Sequence, residues 1–189
     1  MAYHLFINDH IYDLDWESAL PLLSEQRREQ ALKFKHDLGR RTSVAAYLLL
    51  REALQKVYGI TDKPIFEYGE HGKPFIIGHP DIHFNLSHCK EAVICAVSNR
   101  PIGVDVESVR EYKESLARYS MNETELQQIL SAPRPDIAFT RLWTMKEAQA
   151  KMTGKGIDNH FKDLLVQPSK IITVESEDQR YVYSICQSV

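Results

Sequence analysis

The sequence has no apolar run long enough to span a bilayer and no basic start followed by an apolar core of the kind an export signal needs. A cytoplasmic chain with no membrane span is therefore the expectation. It has no excess of positive charge either: 23 Lys and Arg stand against 26 Asp and Glu, a formal net charge of -3. No global positive field exists to gather a nucleic-acid backbone or an acidic membrane, so any anion site must be local. Cysteine is scarce. Cys89, Cys95 and Cys186 are odd in number and form no Cys-x-x-Cys pair, which disfavours a disulfide framework or a zinc clamp. Low-complexity segments, long linkers and a convincing internal repeat are also missing.

What is present is a globular balance of 43% hydrophobic residues over 189, enough for one large domain or two small ones. Residues 3–8 read as a strand, and a helical region opens at Asp13 to Trp16 and becomes strongly charged from Ser24 to His36. Thr42 to Tyr58 is the clearest helix: Val44, Tyr47, Leu48, Arg51, Leu54 and Val57 recur at helical spacing, and Gly59 stops it. Ile65 to Tyr68 reads as a short strand, followed by a Gly/His/Lys/Pro loop. Ile82 to Leu86, Ala92 to Ser98 and Ile102 to Glu107 are three β-runs consistent with an antiparallel sheet, with Asn99-Arg100-Pro101 as a tight connection. The chain then turns helical through Leu130. Ser131 to Pro135 breaks it before the helix that carries Glu147, and Ile171 to Ser176 with Arg180 to Ile185 form a terminal hairpin. Each half places helices before strands, a pattern that predicts an α+β chain of two similar lobes.

Two blocks carry the chemistry. In Pro101-Ile-Gly-Val-Asp105-Val-Glu107 the carboxylates are two apart among β-formers, so a strand sends both to one face and Val104 and Val106 to the other. In the block from Phe139 to Gly156, Glu147 and Lys151 are four apart and share a helical face with Trp143 and Gly154. Asp105, Glu107 and Glu147 stand where one metal could hold them. Taken singly, Asp-x-Glu reads as a solvated strand end, and Glu147 with Lys151 as a surface ion pair in its favourable orientation. Together with Gly103 and the downstream helix, they read as a site.

The two blocks resemble the signature of 4'-phosphopantetheinyl transferases, in particular the long single-chain type named after surfactin synthesis. Gly72-Lys73-Pro74 is similar to that family's Gly-Lys-Pro element, and Phe84-Asn85-Leu86-Ser87-His88 to its Phe-Asn-(Ile/Leu)-Ser-His element, in the family's order. Arg27 to Arg51 matches more loosely. Cys89 departs from the pattern by standing where a serine is familiar, and the spacing from Phe34 to Arg41 differs by one residue.

The resemblance implies a pseudo-twofold pair of lobes. Residues 1–100 would form an N-terminal lobe with coenzyme A contacts, and 101–189 a C-terminal lobe with the metal-binding and catalytic carboxylates. It implies transfer of phosphopantetheine from coenzyme A to a serine of an apo acyl or peptidyl carrier protein, releasing 3',5'-ADP, by a monomer. Asp105, Glu107 and Glu147 are then the Mg2+ ligands, with Mn2+ able to substitute, and Glu147, Lys151 and Asp105 the catalytic groups. Arg27, Arg41, Lys73, Ser87, His88, Lys151 and Lys155 are the coenzyme A contacts, Lys155 lying between Gly154 and Gly156 in a phosphate-facing loop. The general base is open among Glu147, Lys151 and a water on the metal. Tyr119 to Glu125 is similar to a Phe-Ser-x-x-Glu element, and Arg110, Lys113 and Arg118 around it are expected to face an acidic carrier.

Two other classes fit part of the pattern. A metal-dependent nuclease also uses acidic pairs with a glutamate and a lysine, but the net charge offers little to a polynucleotide. A catalytically silent coenzyme A module keeps the binding residues alone; the presence of all three carboxylates and Lys151 favours activity.

Overall fold

The computed structural model describes residues 3–154, 161–166 and 170–188. The first half runs β1 (Tyr3–Asn8), α1 (Trp16–Ala19), α2 (Glu25–Leu32), α3 (Asp37–Tyr58), the ribbon β2 (Phe66–Tyr68) and β3 (Pro74–Ile76), then β4 (His83–His88) and β5 (Val93–Ser98). The second runs β6 (Ile102–Ser108), α4 (Glu114–Ser120), α5 (Glu123–Ser131), α6 (Pro135–Thr153), β7 (Lys170–Glu175) and β8 (Tyr181–Gln187). In each half the first strand pairs antiparallel with the last, and the last pairs with the strand before it, giving sheets β1-β5-β4 and β6-β8-β7. A long helix packs on each sheet, α3 on β5 and β1, α6 on β6 and β8. Both helices end in a left-handed glycine, Gly59 and Gly154, each with φ of 70°. The two lobes thus share one topology, although no sequence repeat marks it.

β5 is buried along its whole length because both its faces are covered. Val93, Cys95 and Val97 join the α3 residues Val44, Tyr47, Leu50 and Leu54 in one core. Ile94 and Ala96 meet Ile102, Val104, Val106 and Ile185 in a second core between the lobes. This double burial explains why these strands read as continuous apolar runs. A third cluster, built on Met121, Leu126, Ile129 and Phe139, packs α4 and α5 against α6.

The three β-runs expected in one antiparallel sheet are divided. β4 pairs with β5, whereas β6 pairs with β8 in the other sheet. The physical reason lies in β4. Asn85 Oδ1 accepts the Val104 N–H at 2.8 Å and Ser87 Oγ accepts the Val106 N–H at 3.2 Å, so side-chain oxygens take the place of a backbone ladder. The two sheets therefore meet at a polar seam, along which β4 and β6 run in the same direction. The helical stretch expected through Leu130 is two helices, divided at Asn122, which forms a reciprocal capping box with Glu125. Residues 74–76, expected as loop, form β3. No helix among the described residues is long and apolar enough to cross a membrane.

Candidate active site

β6 and α6 touch at Gly103. A Cβ there would stand 2.0 Å from Ala148 O and 2.3 Å from Met152 N, so only glycine lets the helix backbone lie on the strand. This approach sets Lys151 over Asp105. Lys151 Nζ donates to Asp105 Oδ1 at 2.6 Å and to Ser87 Oγ at 3.1 Å, and Ser87 Oγ donates to the same Oδ1 at 2.9 Å. Asp105 is 3% exposed, and its Oδ2 has no hydrogen-bond partner among the described residues. Leaving a buried acceptor unpaired costs about 1–3 kcal/mol, more for a charged one. The free oxygen is thus open to a ligand.

Charge accumulates around it. Burial pushes the Glu107 carboxyl up to about 7, helped by the negative charges of Asp105 and Glu147 and opposed by Arg110 and Lys151. Glu147 is likewise raised, first by burial and then by Asp105, with Lys151 opposing. Asp105, Glu107 and Glu147 therefore form one neighbourhood of mutually repelling carboxylates. As they stand, no three acidic, histidine or cysteine side chains among the described residues are close enough together to enclose a metal ion.

Glu147, Lys151 and Gly154 face Gly72, Lys73 and Asn85 across a cleft of about 210 Å3 between the lobes. Gly72 supplies the positive φ, 78°, that the β2–β3 turn requires. Lys73 Nζ donates to Ile102 O at 3.2 Å, Lys151 O at 2.7 Å and Met152 O at 2.8 Å. Burial pulls its ammonium down to about 8. His88, at the end of β4, borders a second cavity of about 380 Å3 with Lys35, His36, Thr42, Cys89 and Lys90. Its imidazole is lowered by desolvation and then by the positive charge of Lys151. Beyond Glu107 lies a third cavity of about 460 Å3, walled by Tyr112, Phe139 and Trp143 with Arg110 and Lys113 among its lining.

Other expected contacts are engaged within the chain. Arg27 is buried, donates to Gln30 and Ser43, and lies over the rings of Tyr47 and Phe66. Arg41 ties α3 to the N-terminal segment through Tyr12 O and Leu14 O and pairs with Asp37 on its own helix. Arg118 pairs with Glu114 on its own helix. Lys155 lies outside the described residues. Glu147, Lys151 and Lys73 thus line one cleft, Asp105 and Ser87 lie behind it bonded to Lys151, and His88 borders the other cavity.

Two groups were not singled out from the sequence. His36 and Lys90 line the cavity beside His88, and Lys146 is completely buried next to Glu147. Lys146 Nζ donates to Ser120 O at 3.1 Å, Phe161 O at 3.0 Å and Lys162 O at 2.7 Å, and pairs with Glu125 at 2.8 Å. The capping box at Asn122 and Glu125 was the available signal for its partner.

Comparison with known proteins agrees with this layout. The family profile described as "4'-phosphopantetheinyl transferase superfamily" matches residues 101–188, and "4'-phosphopantetheinyl transferase, N-terminal" matches residues 12–100. The chain is similar to 4'-phosphopantetheinyl transferase psf-1 of Bacillus pumilus, 35% identical over 144 residues, covering 75% of this chain and 62% of that protein. It is similar to 4'-phosphopantetheinyl transferase Sfp of Bacillus subtilis strain 168, 30% identical over 158 residues, covering 82% and 70%. The HetI transferase of Nostoc is 35% identical over 144 residues, covering 71% and 61%. The matched part therefore spans less than two thirds of the length of two of these three relatives.

Proposed function

The chain belongs to the 4'-phosphopantetheinyl transferase superfamily, and we propose that it moves 4'-phosphopantetheine from coenzyme A to a serine of an apo acyl or peptidyl carrier protein, releasing 3',5'-ADP. The observation that carries this reading is the contact of Lys151 and Ser87 with one oxygen of Asp105 at a cleft between two lobes, the other oxygen being unpartnered. Both lobes and every residue invoked come from one chain, which favours a monomer. No disulfide joins Cys89, Cys95 and Cys186, as suits the reducing cytoplasm.

Magnesium, or manganese, suits the residues present. Asp105 Oδ2 is a buried oxygen without a donor, and Glu107 and Glu147 are carboxylates burdened by each other's charge. These three would hold the ion, which when bound offsets pyrophosphate charge and polarises phosphate oxygens. The remaining steps belong to the chain. Ser87 and Lys151 fix Asp105 from one side. The Lys151 side chain is 31% exposed, so its ammonium also faces the cleft and can meet the pyrophosphate and the leaving oxygen. The carrier serine oxygen forms a bond to the β-phosphorus as the bond from that phosphorus to the 3',5'-ADP oxygen breaks. The hydroxyl proton passes to Glu147, which lines the same cleft. His88, with Lys35 and Lys90 around its cavity, supplies donors for the phosphates at the nucleotide end. The surface carrying Arg110 and Lys113, next to Glu107, faces the carrier.

Intact-mass measurement of several apo-carriers after incubation with protein, coenzyme A and magnesium tests this. A carrier gaining one phosphopantetheine is the expected result. Coenzyme A bound with every carrier unchanged would instead identify a silent binding module, and cleavage of a polynucleotide a nuclease.

A further inference from the structure

Three side chains of the N-terminal lobe hold the other lobe by its backbone. Asn85 and Ser87 accept from Val104 and Val106 of β6, and Lys73 donates to Ile102 O at the start of β6 and to Lys151 O and Met152 O in the last turn of α6. These two elements carry all the carboxylates of the site. The last carbonyls of a helix lack partners within it, and a cation beside them is favoured by the helix dipole. In α6 the Gly154 N–H reaches back to Ala150 O, so among the described residues Lys151 O and Met152 O are the next carbonyls without a helical N–H, and Lys73 donates to both. Its stem lies over the cap: a Cβ on Gly154 would be 3.2 Å from Lys73 Cδ. An ammonium has three N–H groups. All three have carbonyl acceptors here, with which a phosphate would have to compete.

We propose that Lys73 is a positioning residue, which grips the start of β6 and the end of α6 together and thereby sets Lys151 against Asp105, and is not a coenzyme A ligand. The kinetic consequence rests on the transferase reading; the structural one does not. Lys73→Met removes the donors and keeps the stem. Lys73→Gln removes the charge but leaves an amide able to donate to carbonyls.

The test measures three quantities for both variants: coenzyme A affinity by calorimetry, kcat against KM with saturating apo-carrier, and hydrogen exchange of the amides from Ala150 to Gly154. Lys73→Met should hold coenzyme A within about threefold of wild type, lose at least about tenfold in kcat, and exchange faster at the end of α6. Lys73→Gln should recover part of both kcat and protection. Coenzyme A affinity weakened by more than about thirtyfold in both variants, with kcat at saturation and exchange unchanged, would overturn the proposal and make Lys73 a ligand. If Lys73→Met does not fold, Lys73→Gln decides by the same criteria. If the wild-type protein transfers nothing, the transferase reading fails, while affinity and exchange still decide the role of Lys73.

Discussion

Lys151 and Asp105, 46 residues apart in the chain, meet at 2.6 Å through one carboxylate oxygen, Oδ1, which also accepts from Ser87. The contact is lopsided. Lys151 and Ser87 approach from the same side, so the buried Oδ2 is left unpaired at the strand face shared with Glu107. The buried Lys146–Glu125 pair likewise leaves Glu125 Oε1 without a partner among the described residues, so what distinguishes Asp105 is its place beside the carboxylates of Glu107 and Glu147. The lopsided form suits a carboxylate held by one oxygen so that the other can serve a ligand.

Gly103 is expected to be the least replaceable residue of the strand. Gly103→Ala puts a methyl into the α6 backbone, and relief requires the helix to move away from β6. Overpacking of this kind costs about 1–3 kcal/mol or more, and a 1 Å displacement of Lys151 and Glu147 lowers kcat about a hundredfold. Denaturant unfolding and steady-state kinetics would measure the two effects. Wild-type stability and turnover would contradict the close contact.

Replacing Asp105 separates charge from shape. Asp105→Asn keeps a hydrogen-bonding side chain between Lys151 and Ser87, and Asp105→Ala keeps neither. Both should lose transfer by about a thousandfold or more, because the proposed ion would need the anionic Oδ2. Magnesium binding, followed by calorimetry, should fall in both while thermal unfolding shows a folded chain. Near-normal turnover in Asp105→Asn would remove Asp105 from the metal-binding set.

The strand and helix periodicities were enough to read this carboxylate geometry from the sequence. Asp105 and Glu107 are on one face because strands alternate, and Glu147 and Lys151 because helices repeat near four. Tertiary partners were not legible in the same way. Nothing in the Gly-Lys-Pro element says that Lys73 meets carbonyls at Ile102, Lys151 and Met152, since backbone acceptors exist at every residue and only the fold selects among them. The sheet assignment of β6 failed for a related reason. Its N–H groups at Val104 and Val106 are taken by side chains of Asn85 and Ser87, a substitution that strand patterns do not encode.

Lys146 is a stability residue first. Lys146→Met leaves Glu125 buried without its cation, and breaking a buried pair from one side costs about 3–5 kcal/mol. The double variant Glu125→Gln with Lys146→Met should recover part of that loss in urea unfolding. Additive losses would contradict direct coupling of the two side chains.

His88 predicts a pH dependence with a definite sign. Desolvation and Lys151 hold its imidazole below the ordinary value of about 6.5, so it is neutral near pH 7 in the free protein. A phosphate beside it favours the protonated ring, so coenzyme A binding should take up a proton and tighten as pH falls from about 8 towards about 6. Calorimetry in buffers of different ionisation heat measures that uptake. His88→Gln should reduce it, leaving the contribution of the coenzyme's own phosphates; an unchanged uptake would place His88 away from the phosphates.

The most direct measurement follows both products in one reaction: holo-carrier by intact mass and 3',5'-ADP by chromatography, with wild-type protein and with Asp105→Ala, in metal-free buffer and after adding magnesium. Wild-type protein with magnesium should form the two products in equal amounts, and chelated protein or Asp105→Ala should form neither. Equal turnover in thoroughly metal-free buffer, or 3',5'-ADP appearing without a modified carrier, would contradict a carboxylate-held ion and transfer to a carrier serine.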